Sequence, residues 1–132
     1  MMIYRDRDTQ KILGSWIGKT LTDIKINKNN PREIDSIDFT FSDNEKYSMY
    51  HVSDCCSGAA IEDICGDIED LIGNPILLAE QSESRDFENR KKDYDSCTWT
   101  FYKFSTVKGS VTIRWLGESN GYYSESVDIE KL

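Results

Sequence analysis

From Cys97 to Val127 large apolar or aromatic side chains alternate with polar ones, the period-two pattern of strands with one buried face. The stretch holds two of the three Trp, two of the five Phe and three of the seven Tyr. Lys108 and Gly109 separate two such runs and predict a hairpin turn. A second break, Gly117 to Gly121, precedes a third run from Tyr122 to Ile129, so the pattern predicts an antiparallel meander. With Lys108-Gly109 as the two loop residues, Val107 pairs with Ser110, Phe104 with Ile113, Tyr102 with Trp115 and Lys103 with Arg114. Val111, Ile113, Trp115, Tyr102 and Phe104 then share the core face. Arg114, Lys103, Thr112, Ser105, Phe101 and Trp99 share the other.

Upstream, Gln10 to Gly18 predicts a short helix or turn ending at glycine. Lys19 to Asn27 alternates Leu21, Ile24 and Ile26 with polar residues and predicts a strand. Ile34 to Phe41 and Lys46 to Val52 predict a second hairpin about the turn Ser42 to Glu45. Ser53 to Gly58 predicts a loop. Ile61, Ile64, Cys65, Ile68, Leu71 and Ile72 fall at helical spacing, with acids opposite, and predict the amphipathic helix of the chain. Gly73, Asn74 and Pro75 would stop it. Pro75 to Glu80 predicts a short strand, and Gln81 to Ser96 a long polar loop. The expected fold is α+β in a single domain, residues 1–132: an antiparallel sheet or meander core, one amphipathic helix and a long polar loop. A mixed sheet of about seven strands is expected, and its edges favour a homodimer or an assembly of dimers.

Composition narrows the function. Hydrophobic residues are 38% and charged residues 30% of 132, a globular balance. No apolar run approaches the roughly 20 residues of a membrane helix. No apolar signal region is visible at the N-terminus, so a cytosolic protein is expected. Net charge is −8, distributed as +3 over residues 1–30, −11 over 31–96 and zero over 97–132. That argues against duplex nucleic acid as partner, while one local arginine suffices for a small anion. Cys55, Cys56, Cys65 and Cys97 are expected as thiols. His51, Cys55, Cys56 and Cys65 match no usual zinc spacing, so neither metal nor other cofactor is expected.

The candidate chemistry is binding rather than catalysis. No nucleophile elbow and no phosphate-binding glycine loop is present, and no enzyme is expected. Lys103 and Arg114 on one face read either as two side chains splayed into water or as a clamp on an anion beside aromatic rings. Phe87, alone in its polar loop, reads as a rim residue or a lid over a bound ring. His51, the single histidine, reads as structural or ligand-facing.

Four stretches also carry a resemblance: His51 to Cys56, Ile61 to Gly73, Thr98 to Lys103 and Thr112 to Ser124. Together they resemble a small phage-encoded family that includes the Thoeris anti-defence signal sponges, across roughly Lys19 to Ile129. The resemblance implies a non-enzymatic sponge that sequesters cyclic ADP-ribose isomers made by bacterial immune enzymes. It implies dimers or assemblies of dimers, ligand pockets near subunit contacts, and in some members a separate pocket for cyclic oligonucleotides. The family's ligand-contacting arginine falls on Arg114 and its pocket aromatic on Phe87. Such a ligand needs a forked cation, a stacking ring and polar donors, which Arg114, Trp99 or Phe87, Asn120, Ser119 and Tyr122 supply by type. A second reading rests on the −11 segment: an acidic phage inhibitor that blocks a host or defence protein by mimicking nucleic acid.

Overall fold

The computed structural model describes residues 2–4, 7–28, 34–51, 57–85, 96–119 and 125–132. Strands dominate them: β1 (Met2–Tyr4), β2 (Leu21–Asn27), β3 (Ser36–Phe41), β4 (Lys46–Tyr50), β5 (Ser57–Cys65), β6 (Leu78–Arg85), β7 (Ser96–Thr106), β8 (Gly109–Ser119) and β9 (Asp128–Lys131). The single α-helix among them, α1, is Arg7–Trp16. Two sheets form, in the orders β1-β6-β7-β8-β5 and β2-β3-β4-β9. Every ladder between named strands is antiparallel. The fold is thus α+β, as the pattern predicts, but split into two sheets rather than one mixed sheet.

The helix is α1, not the 61–72 segment. Leu13 and Trp16 are fully buried, one turn apart on the face turned to the core. Gly18, at φ +86°, turns the chain out of the helix. The 61–72 segment instead forms β5 and a 3-10 turn, Ile68–Leu71. Its helical spacing is produced by a β-bulge. Ile61 pairs with Trp115, whereas Asp63 pairs with Arg114, so one extra residue intervenes. Ile61 and Ile64 therefore both face inward, three positions apart, and imitate a helix stripe. Gly66 then breaks the strand at φ +113°, where a Cβ would stand 2.5 Å from the Ser110 carbonyl oxygen. Asp67 caps the 3-10 turn by accepting from the Glu69 N–H at 3.0 Å.

The β7–β8 hairpin also differs from expectation. Thr106 pairs with Gly109, so Val107 and Lys108 are the loop residues. Neither has a positive φ. Thr106 fixes the turn: its hydroxyl accepts from the Lys108 N–H at 3.2 Å and donates to the Asp70 carbonyl. Gly109 leaves room for Asp70, whose Oδ2 would lie 2.8 Å from a Cβ there. The shift is two positions, so every side chain keeps its predicted face. Val111, Ile113, Trp115, Tyr102 and Phe104 are all fully buried. Arg114, however, is opposite Phe101, and Lys103 is opposite Thr112. The predicted loop from Gln81 begins later, because β6 continues to Arg85. Polar residues lie inside that strand: Gln81 is buried, and its amide donates to the Tyr102 hydroxyl at 3.3 Å.

The two sheets meet around Trp16. Its ring centroid lies 4.9 Å from Phe39, 5.1 Å from Phe41, 5.1 Å from Tyr47 and 5.8 Å from Phe104. Phe39, Phe41 and Tyr47 belong to the four-stranded sheet and Phe104 to the five-stranded one, so one indole joins both. Ile17, Thr20 and Leu21 bridge to Ile76, Pro75 and Ile72 along the seam. At its rim, the Lys19 ammonium lies 4.5 Å from the Phe41 ring centroid, pairs with Asp43 at 3.0 Å and also pairs with Glu45. Lys131 reaches Glu45 at 3.2 Å.

Truncating Trp16→Ala is expected to cost about 3–5 kcal/mol in urea unfolding, as for a buried large aromatic. The rim network sets a pH dependence. The Glu45 N–H and Lys19 hold the Asp43 carboxyl below its ordinary 3.8. Lys19 and Lys131 hold that of Glu45 below its ordinary 4.5. Desolvation lowers Lys19, but hydrogen bonds to Glu45 and Asp43 outweigh it and raise it above 10.5. Depressed carboxyls stabilise above their unfolded values and lose that as pH falls through the folded ones; a raised amine stabilises below its unfolded value and loses that as pH rises through the folded one. The stability margin of the parent over Lys19→Met should therefore be largest near neutrality. It should narrow both in acid below the carboxyl range and in alkali above the lysine range, measured by urea midpoints across pH.

Candidate functional site

The outward faces of the two sheets differ in chemistry. That of the four-stranded sheet is polar and internally bonded. Ser48 donates to Asp38 at 2.8 Å, and Tyr50 donates to Glu130 at 2.7 Å. The bond to Glu130 raises the Tyr50 hydroxyl above its usual 10.0. The outward face of the five-stranded sheet carries Trp99, Phe101 and Leu116, all half-buried or buried, around Arg114. Aromatic rings beside a half-buried cation suit ligand contact better than solvation does.

The residues meet because the strands place them side by side. Trp99 is the cross-strand partner of Leu116 and Phe101 that of Arg114. The Arg114 guanidinium leans diagonally over Trp99, with Cζ 5.2 Å from the ring centroid, within cation–π range. Its Nε is buried and has no hydrogen-bond acceptor among the described residues. On the other flank, β5 contributes Gly58 opposite Glu118, Ala60 opposite Leu116 and Asp63 opposite Arg114. Gly58, Ala59, Ala60, Leu116 and Glu118 line a cavity of about 200 Å³. Trp99 borders Leu116 on its β7 side, and Arg114 stands one step along β8.

Of the residues singled out in the sequence, Trp99, Lys103 and Arg114 share this face. Lys103 is exposed and sits beside Phe101 along β7, with Glu80 as its partner on β6. Ser119 and His51 do not join them. Ser119 is fully buried and faces inward, where its hydroxyl donates to the Glu125 carboxylate. Thr98 donates to the same carboxylate at 2.8 Å. His51 is buried too, and its Nδ1 donates to the Ser126 carbonyl at 2.7 Å. Phe87, Asn120 and Tyr122 lie outside the described residues, as do Cys55 and Cys56. Among the described cysteines, Cys65 is an exposed thiol and Cys97 a buried one. No group of three potential ligands able to hold a metal ion occurs among the described residues.

Sequence reasoning missed the β5 side altogether. Gly58, Ala60 and Asp63 became visible only once 57–65 proved to be a strand. A usable signal was present: two adjacent acids, Glu62 and Asp63, between inward Ile61 and Ile64 fit a bulged strand as well as a helix.

With the geometry in hand, the chain belongs to the family described as a domain of unknown function (DUF7448), which matches residues 14–129. No curated protein and no solved structure shows a significant match to it. No helix among the described residues is long and apolar enough to cross a membrane.

Two glycines on the β8 ladder test the geometry. A Cβ at Gly117 would stand 2.2 Å from the Glu125 carbonyl oxygen, whereas a Cβ at Gly58 meets nothing within 4 Å. Neither glycine has a positive φ. Gly117→Ala should therefore destabilise by about 1–3 kcal/mol through overpacking. Gly58→Leu should stay within about 0.5 kcal/mol of the parent. Urea unfolding of the two variants checks both.

Proposed function

We propose that this protein is a binding protein for a small anionic nucleotide-type signal of the cyclic ADP-ribose class, which it sequesters in the host cytoplasm without cleaving it. The observation that carries the reading is the Arg114 guanidinium held over Trp99, its buried Nε without an acceptor among the described residues. An arginine stacked on an indole is oriented in advance, so less side-chain entropy is lost when an anion arrives. Its planar fork matches a pyrophosphate, and the neighbouring aromatic surface suits a purine. The cavity beside it is smaller than the roughly 300–1,000 Å³ that encloses a drug-sized ligand. It fits one sugar or ring of such a signal, with the remainder lying over Trp99 and Arg114. Nothing further is required of a sponge, since sequestration needs affinity and stoichiometry rather than a nucleophile or a general base.

Calorimetry with cyclic ADP-ribose isomers tests this directly. Arg114→Ala should weaken binding by about thirtyfold or more, from the roughly 2–5 kcal/mol carried by a desolvated charged hydrogen bond. Arg114→Lys should recover part of it. Gly58→Leu should remove binding while leaving the urea midpoint unchanged. The ligand should be recovered chemically unchanged after heat denaturation. A folded Arg114→Ala protein with parental affinity would remove this face from the function.

The same reading includes self-association, because sheet edges and a half-exposed aromatic face are commonly completed by a symmetry mate. Light scattering should give twice the 15.2 kDa chain mass or a multiple of that. A concentration-independent monomer would exclude it.

A further inference from the structure

The bulge in β5 does more than bend an edge strand. Without it, Asp63 would follow Ile61 onto the inner face at the next alternate position. With it, Asp63 becomes the direct cross-strand partner of Arg114 on the outward face. Opposite charges at such a position ordinarily pair. Here they do not: among the described residues Arg114 makes no ion pair within 4 Å, and its guanidinium turns the other way, over Trp99. Asp63 itself is exposed. The sheet therefore presents a cation and a carboxylate on neighbouring strands, held apart, with the small-residue cavity of Gly58 and Ala60 beside them.

We infer that Asp63 is a specificity-determining residue that accepts a hydrogen bond from a ribose hydroxyl of the ligand whose phosphate Arg114 holds. The inference rests on the binding function proposed above and deepens it. A carboxylate next to an anion site disfavours a ligand that brings phosphate alone. It favours one that also brings hydroxyl donors within a few ångströms of that phosphate. A ribose attached to a pyrophosphate has this arrangement, and a carboxylate is a good partner for its hydroxyls because it only accepts. Glu118, which lines the cavity, adds a second carboxylate to this side of the sheet. The site is thus matched to ribonucleotides over inorganic phosphate and over deoxynucleotides. The Arg114–Trp99 pair sets affinity and Asp63 sets selection.

The test uses full-length protein and calorimetry with three probes: cyclic ADP-ribose and its analogues lacking either the 2′- or the 3′-hydroxyl of the adenosine ribose. The parent should bind cyclic ADP-ribose about tenfold or more tightly than at least one deoxy analogue, as expected for a lost charge-assisted bond. In Asp63→Ala that ratio should collapse towards one. The collapse should come from weaker binding of the hydroxylated probe, with the deoxy analogue held equally well or better because Arg114 has lost a competing carboxylate. Asp63→Asn, nearly isosteric, should show an intermediate ratio and guards against a folding defect in the alanine variant. An unchanged ratio in both variants overturns the role of Asp63, as does a parent that does not distinguish the probes. In either case the binding function stands. If the parent binds none of the probes, the binding function fails first and the inference with it.

Discussion

The structure depends on a single aromatic contact set. Trp16, at the end of the only α-helix among the described residues, touches rings from both sheets. Two sheets joined by few covalent connections need something to fix their separation, and a fully buried indole does so at four ring contacts with geometries from stacked to edge-on. The seam bridges at Ile17, Thr20 and Leu21 follow directly from where the helix ends. With the sheets fixed, the inward faces are committed to the core. The outward faces then remain for function, one of them polar and the other aromatic around Arg114.

Much of this was legible in the sequence, for a reason that also explains the errors. Alternation in β7 and β8 identified the buried set Tyr102, Phe104, Val111, Ile113 and Trp115, and placed Arg114 and Trp99 together on the opposite face. A turn misplaced by one residue shifts the cross-strand pairing by two and does no harm to that assignment, because a strand's faces repeat every two. It does alter who sits opposite whom, which is why the supposed Lys103–Arg114 encounter became Phe101–Arg114. Face and neighbour are separate pieces of information, and periodicity carries only the first.

The 61–72 segment shows the converse. A bulge adds one residue to one side of a ladder, and apolar spacing of two becomes three, which a periodicity argument assigns to a helix. The correct reading depends on Gly66, whose positive φ and lack of room for a Cβ beside the Ser110 carbonyl end the strand abruptly. Neither is visible without the partner strand. The polar β6 escaped notice for a related reason. Gln81 is buried against Tyr102, so a residue ordinarily read as loop is part of the interior. The candidate site was legible on its β7 and β8 side, where pattern and chemistry agree, and illegible on its β5 side.

Gly58 has a broader consequence. Its missing side chain leaves empty space instead of accommodating a neighbouring backbone, so the floor of the cavity can be raised by one codon at little cost to the fold. A surface position decoupled in this way from the core can change by small steps, each of them still folded. Under the binding function proposed above, that freedom would let recognition drift, and it resides in an atom that is not there.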